Sequence, residues 1–401
     1  IIRRAIRHGH KIGINKVFFY RLAPVLALEF KDAYPELKKA LANVEKILKK
    51  EEGRFAQTLD QGMGILEEAI ANLKGNKISG QTVFKLYDTY GFPVDLTADV
   101  ARERGLTVDM PGFEAEMTKQ RERARQAGDF KTTQQGVAIG EATEFVGYEQ
   151  LENTSVIQAI IKEGKLVNSI DAGDEAIVVL AQSSFYGESG GQVGDNGLLS
   201  NADITFEVSN TQKQKSGAFE HYGVLNGGTL SVGDAVEAVV DKHRRKRIAR
   251  NHSATHLLHA ALRSVLGETV TQKGSLVDGD KLRFDFSHDD VISKTDLDKI
   301  EGMVNRKILG NTKIYTDVTD IESAKKKGAM ALFGEKYGDT VRVLTMGKDD
   351  FSVELCGGTH VERLGDIGLF RITSEGGIAA GVRRIEAMTG YDAYQFDNQT
   401  Q

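Results

Sequence analysis

What the chain has little of narrows its reading first. Cysteine occurs once, at Cys356, so no internal disulfide framework exists, and a reducing compartment, the cytoplasm, is expected. No apolar run approaches the roughly 20 residues that a membrane helix needs, and no signal-peptide pattern opens the chain. A net charge of −5 argues against a uniformly basic nucleic-acid coat, though local basic patches remain. Internal repeats and low-complexity stretches are absent from the sequence. Methionine is missing from the first position. The chain begins at Ile1 inside an apolar and basic helical pattern, which reads as a piece of a longer protein.

What is present suffices for packed cores: 401 residues, 40% of them hydrophobic and 27% charged, a length that suggests two to four domains. Residues 1–140 carry apolar positions at helical spacing, and "IIRRAIRHGHKIGINKVFFYRLAPVLALEF" holds no acid before Glu29. Residues 141–240 change texture to short β-branched runs divided by Gly, Asn and Asp, which predicts a small barrel or compact sheet. Residues 241–401 return to a helix and then mix strands with a second helix, an α+β pattern. The expected fold is therefore α+β and multidomain: a helical region, a β-barrel-like unit and an α+β core.

The stretch "RNHSATHLLHAALRSVLG" places His252 and His256 four residues apart, on one helix face, with His259 three further on. Two imidazoles so spaced suit one metal ion; they also suit a half-buried polar stripe. The protease pattern HExxH does not apply, because position 253 is serine and no general base follows the first histidine. Further on, "ELCGGTHVE" sets Cys356 and His360 four apart around a glycine turn. A thiolate and imidazoles are ligands that zinc prefers, and the two pairs add up to a tetrahedral set. The alternative is a buried cysteine beside an ordinary turn histidine.

Together, "HSATHLLHAAL" and "CGGTHV" resemble the editing domain of the alanyl-tRNA synthetase family, its free-standing relatives and a related domain of threonyl-tRNA synthetases. "SSFYGESGGQVGDNG" is similar to that family's glycine-rich loop, "VTQKGSLV" to its Gln-Lys-Gly-Ser segment, and "RRAIRHGHKIG" and "LYDTYGFPVDLT" to its helical tRNA-recognition part. The resemblance covers nearly the whole chain. It implies hydrolysis of mischarged tRNA, with Zn2+ held by His252, His256, Cys356 and His360. His252 and His256 would thereby serve catalysis, joined by Gln272, which is neutral and suits polar contact better than proton transfer. His259 is expected behind the ligands or in packing.

By the same resemblance the glycine-rich loop borders the amino-acid pocket, with Ser184, Glu188, Gly190, Gly191 and Gln192 as substrate contacts. The partner is alanine's tRNA, above all its mischarged acceptor end. Arg3, Arg4 and Arg7 would grip the acceptor stem and Asp88 would read its wobble pair. Lys242, Arg244, Arg245 and Arg247, in the run "KHRRKRIAR" just before the histidines, would meet phosphates near the site. Arg383 and Arg384 add charge. The aminoacylation core is expected to precede Ile1, so no alanine activation is expected. A tRNA-binding module with a purely structural zinc is the main competing reading. A stand-alone editing enzyme is disfavoured, because residues 1–130 resemble a helical domain that free editors lack.

Overall fold

The computed structural model describes residues 2–14, 16–73, 75–127, 142–330 and 340–400, and the chain divides into two compact units, Ile1–Thr132 and Thr133–Gln401. The boundary expected at 140/141 lies outside the described residues. No helix among the described residues is long and apolar enough to cross a membrane.

The first unit is built from helices α1 (Ile2–Lys11), α2 (Leu22–Glu29), α3 (Glu36–Ala71), α4 (Gly80–Asp88), α5 (Val94–Glu103) and α6 (Met110–Ala127). In α3, Phe55, Leu59 and Leu66 fall on one stripe and pack with Val83, Leu86, Phe92 and Leu96. Glu52 is buried on the same helix. Its carboxylate accepts from the backbone N–H groups of Phe18 and Phe19, both at 2.8 Å, so its charge is satisfied away from water. Ser79 caps α4, its hydroxyl accepting from the Thr82 N–H.

The second unit opens with the barrel. Its strands are β1 (Glu152–Lys162), β2 (Glu175–Leu180), β3 (Gly197–Ser200), β4 (Thr205–Lys213), β5 (Phe219–Gly227) and β6 (Ala235–Val240). They pair antiparallel in the closed order β1-β2-β5-β4-β3-β6-β1, which leaves no open edge among the six. Alternate residues point inward: Ile157, Val178, Leu180, Phe206, Val208, Leu225, Val236 and Ala238 share one core.

Val240 ends the barrel and Asp241 starts the next element at once. Its carboxylate accepts from the N–H groups of His243 and Arg244, capping α7 (Lys242–Leu266). Helix α7 is buried on most of its circumference. Ala254, Leu257, Leu258, Ala261 and Leu262 join a core with α8 (Lys294–Leu309) and with the sheet β7 (Gln272–Val277), β8 (Leu282–Ser287), β12 (Phe370–Ala379) and β13 (Val382–Thr389), ordered β7-β8-β13-β12. A second sheet holds β9 (Tyr315–Asp320), β10 (Thr340–Met346) and β11 (Ser352–Leu355) in that order, with α9 (Ile321–Lys326) against its first strands. The last helix is α10 (Gly390–Thr400). Truncating Leu258 to alanine would cost about 2–5 kcal/mol, the usual range for a fully buried leucine.

Inside the barrel wall, His221 is fully buried. Its Nδ1 donates to the Val178 carbonyl at 2.9 Å, and its Nε2 accepts from the Ser183 hydroxyl at 2.8 Å. Burial disfavours the imidazolium and pushes its pKa down to about 4, against a smaller opposing effect of the Val178 carbonyl. A histidine depressed in the fold binds its proton only in the unfolded chain between pH 6.5 and about 4. Its stabilisation is therefore complete above pH 6.5 and is lost as pH falls toward 4, by about 3 kcal/mol in all. Chemical denaturation at a series of pH values should show this decline, and His221→Gln should flatten it. An equal slope in the variant would remove His221 as the cause.

Candidate metal centre and its cavity

One face of α7 carries His252 and His256, whose rings stack 5.3 Å apart at 17°. Opposite them, β11 ends at Leu355 and the chain turns through Gly357 and Gly358, bringing Cys356 and His360 to the same point. The turn needs its second glycine, because a Cβ on Gly358 would lie 2.1 Å from the His252 ring. Ligand atoms of His252, His256, Cys356 and His360 all fall within 4.8 Å of one another.

The donor geometry fits a metal ion. The Cys356 sulfur lies 3.5 Å from His252 Nε2 and 3.3 Å from His360 Nε2. With bonds of about 2.3 Å to sulfur and about 2.0 Å to nitrogen, a tetrahedral zinc holds such atoms about 3.5 Å apart. His256 Nε2 is buried with no hydrogen-bond partner among the described residues. Such an atom is costly unless something binds it.

Each of these rings is held at its other nitrogen. His252 Nδ1 donates to Gln192 Oε1 at 2.7 Å, and His256 Nδ1 donates to Glu354 Oε2 at 2.8 Å. His360 Nδ1 pairs with the Ser253 hydroxyl at 3.2 Å, the serine standing where a protease would have its glutamate. These contacts leave every Nε2 facing the thiolate, the arrangement that orients metal-bound imidazoles.

The charges agree with that arrangement. Burial works to raise the Cys356 thiol, yet His252 and His360 outweigh it and hold the pKa well below the thiol range. Burial lowers His360 to about 3, against the pull of the thiolate. Burial also opposes a charged His256, but the Glu354 and Cys356 charges prevail and raise it to about 10. Among these ligands, His256 is therefore the one whose imidazolium its neighbours favour.

His252, His256 and Cys356 form a wall of a cavity of about 340 Å³, lined also by Ser189, Gly190, Thr255, Gln272, Ser275 and Arg342, while His360 faces a second cavity beside Tyr148 and Arg250. Gln272 and Gly190 thus reach the cavity. Gly191, with φ +83°, lies behind it against Ser275, where a Cβ would come within 2.7 Å of the Ser275 carbonyl. Glu188 is exposed at the loop's outer side, accepting from Gln212 Nε2 at 2.7 Å.

Several expected contacts lie elsewhere. Ser184 is fully buried, its hydroxyl donating to Asn153 Oδ1 at 2.6 Å, away from the cavity. Gln192 is also buried, its Oε1 accepting from His252 and the Thr359 N–H while Nε2 donates to the Thr359 hydroxyl, and it is not among the residues that line the cavity. Arg245 is only 4% exposed and spends its donors on Asp195, the Gly147 carbonyl and the Ser184 carbonyl, so it offers nothing to a phosphate. Arg7 is likewise buried between Asp99 and Glu103. Arg383 and Arg384 pair with Glu375 and Asp285.

The remaining cations stay at or near the surface. Arg3 and Arg4 are half exposed beside Glu51 and Asp99, Lys242 is exposed beside Glu152, and Arg247 lies between Asp280 and Asp392. Arg244 donates to the Gly194 carbonyl at 2.7 Å. Asp88 accepts from Gln120.

Sequence reasoning did not single out Glu354, and it expected Gln192 at the substrate, whereas the amide is turned to His252 and Thr359. The signal for Glu354 was its place two residues before Cys356, because strand alternation points both the same way.

Comparison with known proteins finds two family matches, the first of which runs across the boundary between the two units. Residues 1–244 match the family model described as tRNA synthetases class II (A), and residues 341–386 match the threonyl and alanyl tRNA synthetase second additional domain. The second match contains Cys356 and His360, while His252 and His256 fall between the two. Over all 401 residues the chain is 76% identical to an alanine–tRNA ligase of Ruthia magnifica subsp. Calyptogena magnifica. It is 73% identical, over the same span, to that of Vesicomyosocius okutanii subsp. Calyptogena okutanii (strain HA). The chain spans 46% of the length of each relative, about half.

Two outcomes test the centre. Zinc added to the metal-free chain at pH 7 should displace about one proton, that of His256, and affinity should fall about tenfold for each pH unit lowered. Calorimetry in buffers of different ionisation enthalpy reads both, and zero proton release would place no proton on His256. Gln192→Leu, which keeps all four ligand side chains, should weaken zinc binding about 10- to 100-fold.

Proposed function

We propose, for a chain that belongs to the alanyl-tRNA synthetase family of class II (A), that the cavity beside the imidazole–thiolate cluster clears mischarged tRNA. The ester of serine or glycine wrongly joined to alanine's tRNA would be hydrolysed there. One observation carries this reading: three imidazoles and a thiolate, drawn from segments about a hundred residues apart, converge on one point, and His252, His256 and Cys356 of that set line a cavity of about 340 Å³. The need is physical. A pocket shaped for alanine cannot exclude the smaller glycine and rejects an added hydroxyl weakly, so a second, hydrolytic site is the general remedy.

In the reaction a water oxygen bonds to the ester carbonyl carbon, the bond from that carbon to the ribose oxygen breaks, and the ribose oxygen takes up a proton. Zinc, when bound by His252, His256, Cys356 and His360, supplies a Lewis acid or a water of lowered pKa. The chain's own residues do the rest. Gln192, Glu354 and Ser253 keep the imidazoles turned toward one point. Gln272, on the cavity wall, orients the ester or the attacking water through its amide. Gly190 lets the loop backbone come close to the amino acid, and Glu188 and Gly191 support that loop.

The tRNA is held electrostatically in this reading. Lys242, Arg244 and Arg247 stand on the first turns of α7, and the surface pairs of Lys242 with Glu152 and of Arg247 with Asp280 and Asp392 are weak enough for a phosphate to replace. Arg3, Arg4 and Asp88 would meet the acceptor stem. We divide the chain by task accordingly: residues 1–140 recognise tRNA, 141–240 form the barrel with the glycine-rich loop, and 241–401 form the zinc-containing editing core.

A second reading keeps the tRNA and drops the hydrolysis. Four protein ligands are the mark of a closed, structural zinc site, which favours a binding module. Hydrolysis of seryl-tRNA and alanyl-tRNA, both on alanine's tRNA, separates the two. Faster loss of serine, abolished by a chelator and by Gln272→Ala with the fold intact, is expected. Binding without hydrolysis of either ester would establish the module instead.

Ligation is the activity named for the relatives, and the class II (A) match covers residues 1–244 of this chain. Alanine-dependent exchange of pyrophosphate into ATP tests whether aminoacylation lies within it.

A further inference from the structure

The turn that carries Cys356 and His360 is held from outside by two side chains. Arg342 Nη1 donates to the Cys356 carbonyl at 3.2 Å and to the Gly358 carbonyl at 2.8 Å. The carbonyl between them, that of Gly357, accepts from the Tyr148 hydroxyl at 2.5 Å. Tyr148 stands 209 residues earlier in the chain, and its ring is fixed on two sides. The Arg342 guanidinium lies 4.3 Å from its centroid, and the Phe145 ring meets it edge-on at 4.9 Å. The preceding residue, Gly147, gives its carbonyl to Arg245 of α7, so the backbone under the ring is anchored as well.

One peptide unit joins that hydroxyl to the metal cluster. The carbonyl of Gly357 and the N–H of Gly358 belong to the same peptide bond, and the N–H donates to the Cys356 sulfur at 3.3 Å. No protonation state needs choosing in this series, because a carbonyl only accepts and a backbone N–H only donates. Glycine on both sides leaves the peptide free to turn over. Among the described residues, the Tyr148 hydroxyl is the donor that holds its carbonyl.

We infer that Tyr148 is a positioning residue for the metal centre: through the Gly357–Gly358 peptide it aims an N–H at the Cys356 sulfur and sets how much charge that sulfur gives to a bound ion. The inference rests on the ligand set of His252, His256, Cys356 and His360. A donor on the carbonyl polarises the peptide and strengthens the N–H at its other end. An N–H on a thiolate is charge-assisted, and it draws density from the lone pairs that the metal shares. Arg342 fixes the peptides on either side, so the hydroxyl decides the orientation of the middle one.

Tyr148→Phe keeps the ring between Arg342 and Phe145 and removes only the hydroxyl. Parent and variant are loaded with Co(II), and the thiolate-to-cobalt charge-transfer band is recorded beside cobalt content. A weaker N–H contact raises the sulfur lone pairs in energy, so the variant's band should move to longer wavelength with cobalt retained. An unmoved band, or one moved to shorter wavelength, overturns the inference, since a merely structural tyrosine changes how much metal binds and leaves the band in place. The unmodified chain gives a second measurement, independent of whether the variant folds. Loaded with ¹¹³Cd, it should show scalar coupling between cadmium and the Gly358 amide proton, which only a hydrogen bond to the sulfur transmits. Absence of coupling in the cadmium-bound chain overturns the inference. A parent that takes up neither cobalt nor cadmium overturns the ligand set itself, and the inference with it.

Discussion

A single carboxylate without water around it governs the second unit. Glu354 is 1% exposed, and it accepts from His256 and His259 on a helix that the chain entered about a hundred residues earlier. Removing one partner of a buried ionic contact costs about 3–5 kcal/mol, because the other charge stays in the interior. Strand β11 and helix α7 are thereby held at one depth and one rotation. The glycine turn after β11 then has no choice of where to deliver Cys356 and His360. The position of the metal cluster follows from the position of Glu354.

From Glu354 the contacts run outward through further polar side chains. Gln192 reaches from the barrel's loop to His252, and Ser253 reaches from the helix to His360. Each sets which nitrogen is free to bind, so the four ligand atoms face inward before an ion is present. Low dielectric makes these contacts strong and makes any gap among them expensive. The cavity inherits that rigidity, because three of its walls are the cluster, the loop and the sheet that carries Gln272 and Ser275.

Much of this could be read from the chain alone. Two pairs of ligand-type residues, each four apart, were joined into one site by their resemblance to a family's motifs, while spacing alone left open a buried cysteine beside an ordinary turn histidine. The barrel was visible in its short β-branched runs and their glycine and asparagine breaks. Direction was not visible. Gln192 and Gln272 are alike as letters, yet one is buried as a ligand's partner and the other opens on the cavity. In "KHRRKRIAR" the charge hid the geometry: Arg245 lies seven residues before His252, two turns along the same buried stripe, so helical period and not charge decides its role. Ser184 sat in a loop full of glycine, where nothing local says which hydroxyl is outside. The N-terminal arginines look like a free cationic face until folding brings Glu51, Asp99 and Glu103 beside them.

The pair Arg245 and Asp195 has a reach beyond its own contact. Asp195 also accepts from the Tyr186 N–H at 2.7 Å, so the two ends of the glycine-rich loop close on one carboxylate, and Arg245 anchors that carboxylate to α7. Helix and loop are a single solid piece. The number of residues between Tyr186 and Asp195 is then a spacing gauge for the metal cluster. One residue more or fewer would be felt at Arg245, carried two turns along the helix axis, and expressed as a change in where His252 stands relative to Cys356. Loop length, which most folds leave free to drift, is in this molecule tied through Asp195 and Arg245 to the helix that carries His252 and His256.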